Sequence, residues 1–176
     1  MKLLTGIGLS AVLSCQTTGI MAQESKAEQF VKSATIRLKH PIERVFPLFG
    51  AYEEKKWAEN WKPVPVYPRS EQIQEGTVFQ TTSHVPGEPM MIWTVTKYDT
   101  ILHEIQYIIH AANRIVLLDI VCVAADGGQT NASIRYMLTG LSEEGNEISA
   151  HLIHRIYAND LTDWRDAIEK YLNSEK

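Results

Sequence analysis

Seven apolar residues near the end of the chain, Ile148, Leu152, Ile156, Leu161, Trp164, Ile168 and Leu172, recur at helical spacing, and the chain reaches them directly from a run of strand-like segments. That stripe predicts one long helix from Ser142 to Asn173, with Ser142 as its N-cap and Glu143 and Glu144 in the first turn, where the helix dipole favours negative charge. A stripe of this length must face something dry. The large partner on offer is a sheet, and at about 25 cal/mol per Å² of buried apolar surface their contact contributes heavily to stability. The order of elements therefore predicts an α+β fold: a curved antiparallel sheet of six to seven strands around a long C-terminal helix. Two such elements can leave an apolar hollow between them.

The strands follow from alternation. Ser33 to Lys39 places Ala34, Ile36 and Leu38 on one side and Thr35, Arg37 and Lys39 on the other, which is the first strand. Pro41 then suits the first position of a helix, Val45, Phe46, Leu48 and Phe49 give it an apolar face, and Pro47 and Gly50 keep it short. A second short helix over Ala51 to Trp61 sets Trp57 and Trp61 one turn apart. Lys62 to Pro68, with three prolines, is extended, as an edge strand or a strap across the mouth of the sheet. Five strands are expected next: Gly76 to Ser83, Met90 to Tyr98, Leu102 to His110, Ile115 to Ala124 and Thr130 to Leu141. Turn signals separate them at Pro86-Gly87, Asp99-Thr100, Ala112-Asn113 and Gly127-Gly128, so neighbours run antiparallel.

A chain of 176 residues holds one well-buried domain. Its net charge of -4, with no basic block, supplies no electrostatic footprint for nucleic acid. The beginning reads differently from the rest. Met1-Lys2 and the apolar run Leu3 to Leu13 have the form of an export signal, too short for a membrane span of about 20 residues. Two cleavage readings stand. Residues 1–22 end in Ile20-Met21-Ala22, which suits plain cleavage, whereas Val12-Leu13-Ser14-Cys15 resembles a lipobox that would make Cys15 a lipid anchor. Residues 23–32 read as a flexible leader and 33–176 as the folded domain. Either cleavage places the protein outside the cytoplasm, in the periplasm or cell envelope. Cys122 then stands alone in an apolar strand, as a buried inert thiol with no disulfide.

Four stretches carry a family resemblance: Pro41 to Phe49, Glu54 to Trp61 with its paired tryptophans, Trp93-Thr94-Val95-Thr96-Lys97-Tyr98-Asp99, and Thr139-Gly140-Leu141-Ser142-Glu143-Glu144-Gly145-Asn146. From Ser33 to Leu172 the chain resembles the START-like, or helix-grip, superfamily of polyketide cyclases, plant hormone-binding proteins and lipid-transfer domains, and within it a bacterial exported branch. The resemblance implies the hollow. It transfers no acid-base constellation, because members share the fold and differ in chemistry.

Residues able to line such a hollow are Tyr107 and His103, on the apolar side of one strand, with Trp93, Phe79 and Tyr136. Tyr107 and His103 would orient a ligand in a mostly apolar pocket, although each is also readily satisfied by neighbouring backbone. Asp119 stands in a strand apolar on both sides. If Ala112-Asn113 is a two-residue turn, Asp119 lies opposite Gln106 and points outward, with Arg135 as a partner in the next strand. Glu147, His151 and His154 share one-turn spacings, but a solvated polar face explains them better than a metal site with a second shell. No cofactor is indicated.

The function expected from these residues is non-enzymatic binding or carriage of a small hydrophobic or amphipathic molecule in a cavity between the sheet and the C-terminal helix. The alternatives are a polyketide cyclase-like enzyme on a carbonyl substrate, with Asp119, His103 or Arg135 moving protons, and an interaction module with a filled core, in which Ile115 to Val123 packs on a second copy, as a homodimer, or on another protein. A strongly shifted carboxylate inside the hollow would favour the enzyme.

Overall fold

A computed structural model describes residues 26–83 and 85–175. The expected signal segment, with Cys15 and both cleavage sites, lies outside the described residues. Seven strands form one antiparallel sheet: β1 (Gln29–Leu38), β2 (Val64–Tyr67), β3 (Val78–Thr81), β4 (Met91–Asp99), β5 (Glu104–His110), β6 (Arg114–Ala125) and β7 (Gln129–Gly140). Their order is β1-β7-β6-β5-β4-β3-β2, so the first strand pairs with the last and the rest is a meander. Three helices complete the fold: α1 (Ile42–Val45), α2 (Glu143–Ile156) and α3 (Thr162–Ser174). The expected α+β architecture is present.

β1 begins at Gln29, four residues before the alternation marks it, and pairs along ten residues with β7. The sequence hides this start because an inward position is a lysine. Lys32 faces the helix side, where its ammonium lies 5.4 Å from the centre of the Tyr157 ring, a cation–π contact. α1 runs into a 3-10 turn over Phe46–Phe49, as Pro47 and Gly50 dictate. The second expected helix is reduced to one 3-10 turn, Glu54–Lys56. Side chains fix this segment instead of helix propensity: the Trp57 indole donates to the Leu48 carbonyl (2.7 Å) and the Trp61 indole to the Ala51 carbonyl (2.6 Å).

The closing helix is two helices. After Ile156 the chain turns, and Asp160 (φ 52°) and Leu161 (φ 61°) are left-handed. The step from Ile156 to Leu161 is five residues, which at 3.6 residues per turn rotates the stripe by about 140° away from its line. A break restores the facing. Tyr157, at the break, donates to the Ile134 carbonyl (3.0 Å) and accepts from the Tyr136 amide (3.2 Å), tying the corner to β7. Leu161 is completely buried, and that burial offsets a left-handed backbone cost of about 1–2 kcal/mol.

Curvature is built into the strands. Between Val95 and Lys97 the β4–β5 register slips by one residue at Thr96, a bulge that bends the strand and reverses its faces. Met91, Trp93 and Val95 point inward before it; Tyr98 points inward after it and stacks on Phe46, with ring centres 5.6 Å apart. At the opposite end, α2 starts very close to the sheet. A Cβ on Gly140 would lie 2.5 Å from the Asn146 amide nitrogen, and one on Gly145 would overlap the Asn113 carbonyl. The Ser142 hydroxyl accepts from the Gly145 amide at 3.0 Å, so the N-cap and this close approach are one feature.

Candidate functional site

Between the concave face of the sheet and α2–α3 lies a cavity of about 620 Å³. Its floor comes from the inward residues of four strands, among them Trp93, Tyr107, Val116, Leu118 and Tyr136; its roof is Leu152, Ile156 and Trp164; Phe49, Glu54 and Trp61 close one end. Exposed Glu59, Asn60, Arg155 and Asp163 ring the opening. The walls are mostly apolar, and few polar groups reach the interior.

Of those, Glu54 is the most unusual. It lines the cavity from the Glu54–Lys56 3-10 turn, and among the described residues its carboxyl makes no hydrogen bond. Burial pushes it up from 4.5 to about 8, so it holds a proton at neutral pH. Its side chain is half-buried, and it lines the cavity. An ionised Glu54 would repel the phenolates of Tyr107 and Tyr136, which are driven well above the ordinary tyrosine value first by burial and then by this charge. Both phenols are therefore neutral donors.

Tyr107 is not free to use its hydrogen. Its hydroxyl donates to the Phe49 carbonyl (2.9 Å) and so pins the end of the 3-10 turn to β5. Tyr136, 8% exposed on β7, makes no side-chain hydrogen bond among the described residues. Trp93 packs edge-on against Tyr107 (5.8 Å) and donates to the Thr81 hydroxyl (2.8 Å). Phe79 lies beneath, stacked on Trp93 at 5.4 Å and fully buried, and is not a wall residue. Trp93, Tyr107 and Tyr136 thus line the cavity, whereas Phe79 supports it.

His103 does not reach the cavity, and the strand expected from Leu102 begins at Glu104. The reason is local. The Asp99 carboxylate accepts from the amides of Ile101 (2.9 Å) and Leu102 (2.8 Å), closing a turn that leaves His103 left-handed at φ 55°, with its ring edge on Phe46. Asp119 lies opposite Gln106 on the outer face, accepting from the Gln106 side-chain amide (2.7 Å) and from Arg135 (3.3 Å). Ala112-Asn113 is the two-residue turn that sets this register. Neither Asp119 nor Arg135 can act in the cavity. Glu147, His151 and His154 stand exposed on α2, and Cys122 is buried with its thiol pushed up to about 12.

One buried charge has no counterpart in the sequence reading. Arg114, 2% exposed at the start of β6, forms a two-pronged ion pair with Glu88 from the β3–β4 connection and donates to the Asn113 side chain (3.0 Å). Glu88 is held below the usual carboxylate range, chiefly by its hydrogen bonds from Arg114. A paired arginine at the cavity wall is a neutral unit.

The chain matches no family model and no curated protein. Solved structures do match it. Norcoclaurine synthase from Thalictrum flavum, in complex with dopamine and hydroxybenzaldehyde, superposes with a TM-score of 0.62 at 16% identity, covering 95% of this chain and 99% of that one. The Zhui aromatase/cyclase from a Streptomyces species gives 0.61 at 11% identity over 85% and 97% of the two chains. Ara h 8.0201 gives 0.58 at 16% identity over 85% and 100%. Likeness at such identities speaks to fold, and the chain accordingly has the helix-grip, START-like fold.

Proposed function

We propose that the protein binds a small hydrophobic or amphipathic molecule in this cavity, outside the cytoplasm, with Trp93, Tyr107 and Tyr136 against the ligand. The observation that carries the proposal is the cavity itself, about 620 Å³ with mostly apolar walls, inside the roughly 300–1,000 Å³ range of ligand pockets. A filled-core interaction module is less well supported by such a space. The export reading rests on Met1-Lys2 and the Leu3 to Leu13 run. The norcoclaurine synthase complex holds two small aromatic molecules, so a fold of this kind accommodates them.

Glu54 gives the enzymatic reading specific support. A carboxyl poised near neutrality inside a dry site is suited to moving a proton on a carbonyl compound, and it takes the role that Asp119, His103 and Arg135 cannot fill.

Native mass spectrometry of protein purified under mild conditions tests the binding proposal. The expected spectrum contains one small molecule per chain, recovered chemically unchanged after incubation. A chain that neither retains nor takes up any apolar molecule contradicts binding, and conversion of the recovered molecule moves the weight to the enzyme.

A further inference from the structure

We infer that the cavity selects an organic amine: an aryl-alkyl ammonium whose head pairs with Glu54 and whose apolar body lies along the aromatic wall. The inference depends on the cavity being a ligand site and adds the charge of its occupant.

Three observations support it. The first is the charge balance. The ionisable groups that face Glu54 across the cavity are Glu59 from the segment after its own turn, Tyr107 from β5, Arg114 from β6, Tyr136 from β7, Arg155 from α2 and Asp163 from α3. Arg155 stands at the solvent-exposed rim with Glu59 and Asp163, and Arg114 is neutralised by Glu88. The interior therefore offers a single uncompensated carboxyl and no available cation.

The second is the wall. Phe49, Trp61, Trp93, Tyr107, Tyr136 and Trp164 bring aromatic rings to the cavity, and the faces of such rings are negative and attract a desolvated cation. The third is hydrogen bonding. The Tyr107 hydrogen is already given to Phe49, and Glu54 has no partner among the described residues, so a donor-rich head group such as an ammonium supplies what the carboxylate lacks. An anionic ligand would instead meet Glu54 with both Arg114 prongs occupied. A neutral carbonyl ligand could accept from protonated Glu54 but would leave the aromatic faces and the acidic balance unused. When the ammonium enters, Glu54 gives its proton to solvent and no covalent bond changes.

The test is isothermal titration of the purified protein at pH 7 with three ligands of one shape: 4-phenylbutylamine, 4-phenylbutanol and 4-phenylbutyrate. The amine is expected to bind about tenfold or more tighter than the alcohol, with 4-phenylbutyrate weakest. Titrations in buffers of different ionisation heat should show proton release with the amine alone. In Glu54→Gln the amine-to-alcohol ratio should fall toward one and the proton release disappear, while Glu54→Asp should keep a preference for the amine. Tighter binding of the alcohol or the acid overturns the inference, as does an amine preference that persists in Glu54→Gln. Uptake of the neutral dye N-phenyl-1-naphthylamine without amine preference overturns only this inference. Failure of the dye and all three ligands to bind overturns the ligand site with it.

Discussion

Gly145→Ala should lower the melting temperature by about 6–12 °C, the consequence of roughly 3 kcal/mol of overpacking in a chain of this length. Gly145 lies in the first turn of α2, and its Cα faces the backbone carbonyl of Asn113 at the β5–β6 turn. An added methyl group would overlap that oxygen and lie 3.2 Å from its carbon. Backbone on both sides leaves no flexible side chain to yield. Relief would require α2 to lift from the sheet, breaking the Leu141 amide bond to the same Asn113 carbonyl (2.8 Å) and loosening the roof of the cavity. Gly128→Ala provides the contrast. That residue is left-handed at φ 69° with open space around it, so alanine there carries only a backbone cost of about 1–2 kcal/mol. Thermal melts followed by circular dichroism decide the matter; equal, small losses in both variants would show that α2 can shift without penalty.

Glu54→Gln should stabilise the protein, by about 2 kcal/mol at pH 9, and the gain should vanish in acid. In the folded chain the carboxyl titrates at about 8 against an ordinary value of 4.5, so the folded state binds the extra proton. The contribution of Glu54 to stability is then greatest below pH 4.5, falls as pH rises toward 8, and levels off above. A full shift of that size corresponds to roughly 4–5 kcal/mol, which we halve because the carboxyl opens on the cavity. Glutamine removes the titration and flattens the dependence. Urea unfolding of both proteins from pH 4 to pH 9 measures it. Parallel curves would mean that Glu54 ionises freely in the folded state. A polar group that costs stability and has no structural partner is characteristic of a site kept for its ligand.

The fold is legible because its signals are periodic or punctuated. Alternation marks the strands, and Ala112-Asn113 fixes the β5–β6 register closely enough to place Asp119 opposite Gln106 and outward. What escapes does so for identifiable reasons. The break at Tyr157–Leu161 is visible as a five-residue step in the stripe and as Asn159-Asp160, yet continuous hydrophobic spacing on either side masks it. Alternation assigns His103 to the cavity face, but the Asp99 side chain competes for the strand's first amides and turns it away.

The site itself is half legible. Trp93, Tyr107 and Tyr136 follow from strand parity. Glu54 stands in Glu53-Glu54-Lys55-Lys56, a run that reads as solvated surface; tertiary bonds, the two indole hydrogen bonds among them, hold the segment where one of its four charged positions lines the cavity. Such anchoring is a tertiary fact with no local signature. Arg114 and Glu88 pair across 26 positions, and neither has a neighbour that announces the other.

Ligand binding requires that the apolar space between the sheet and α2–α3 be open and able to take up a molecule. Val116 is an inward residue at the middle of the floor, so Val116→Trp fills that space without touching the rim. Fluorescence titration with N-phenyl-1-naphthylamine should show saturable one-to-one uptake by the unaltered protein and binding about tenfold or more weaker in Val116→Trp. Absence of uptake by the unaltered protein, or equal uptake by both, would contradict an open ligand cavity.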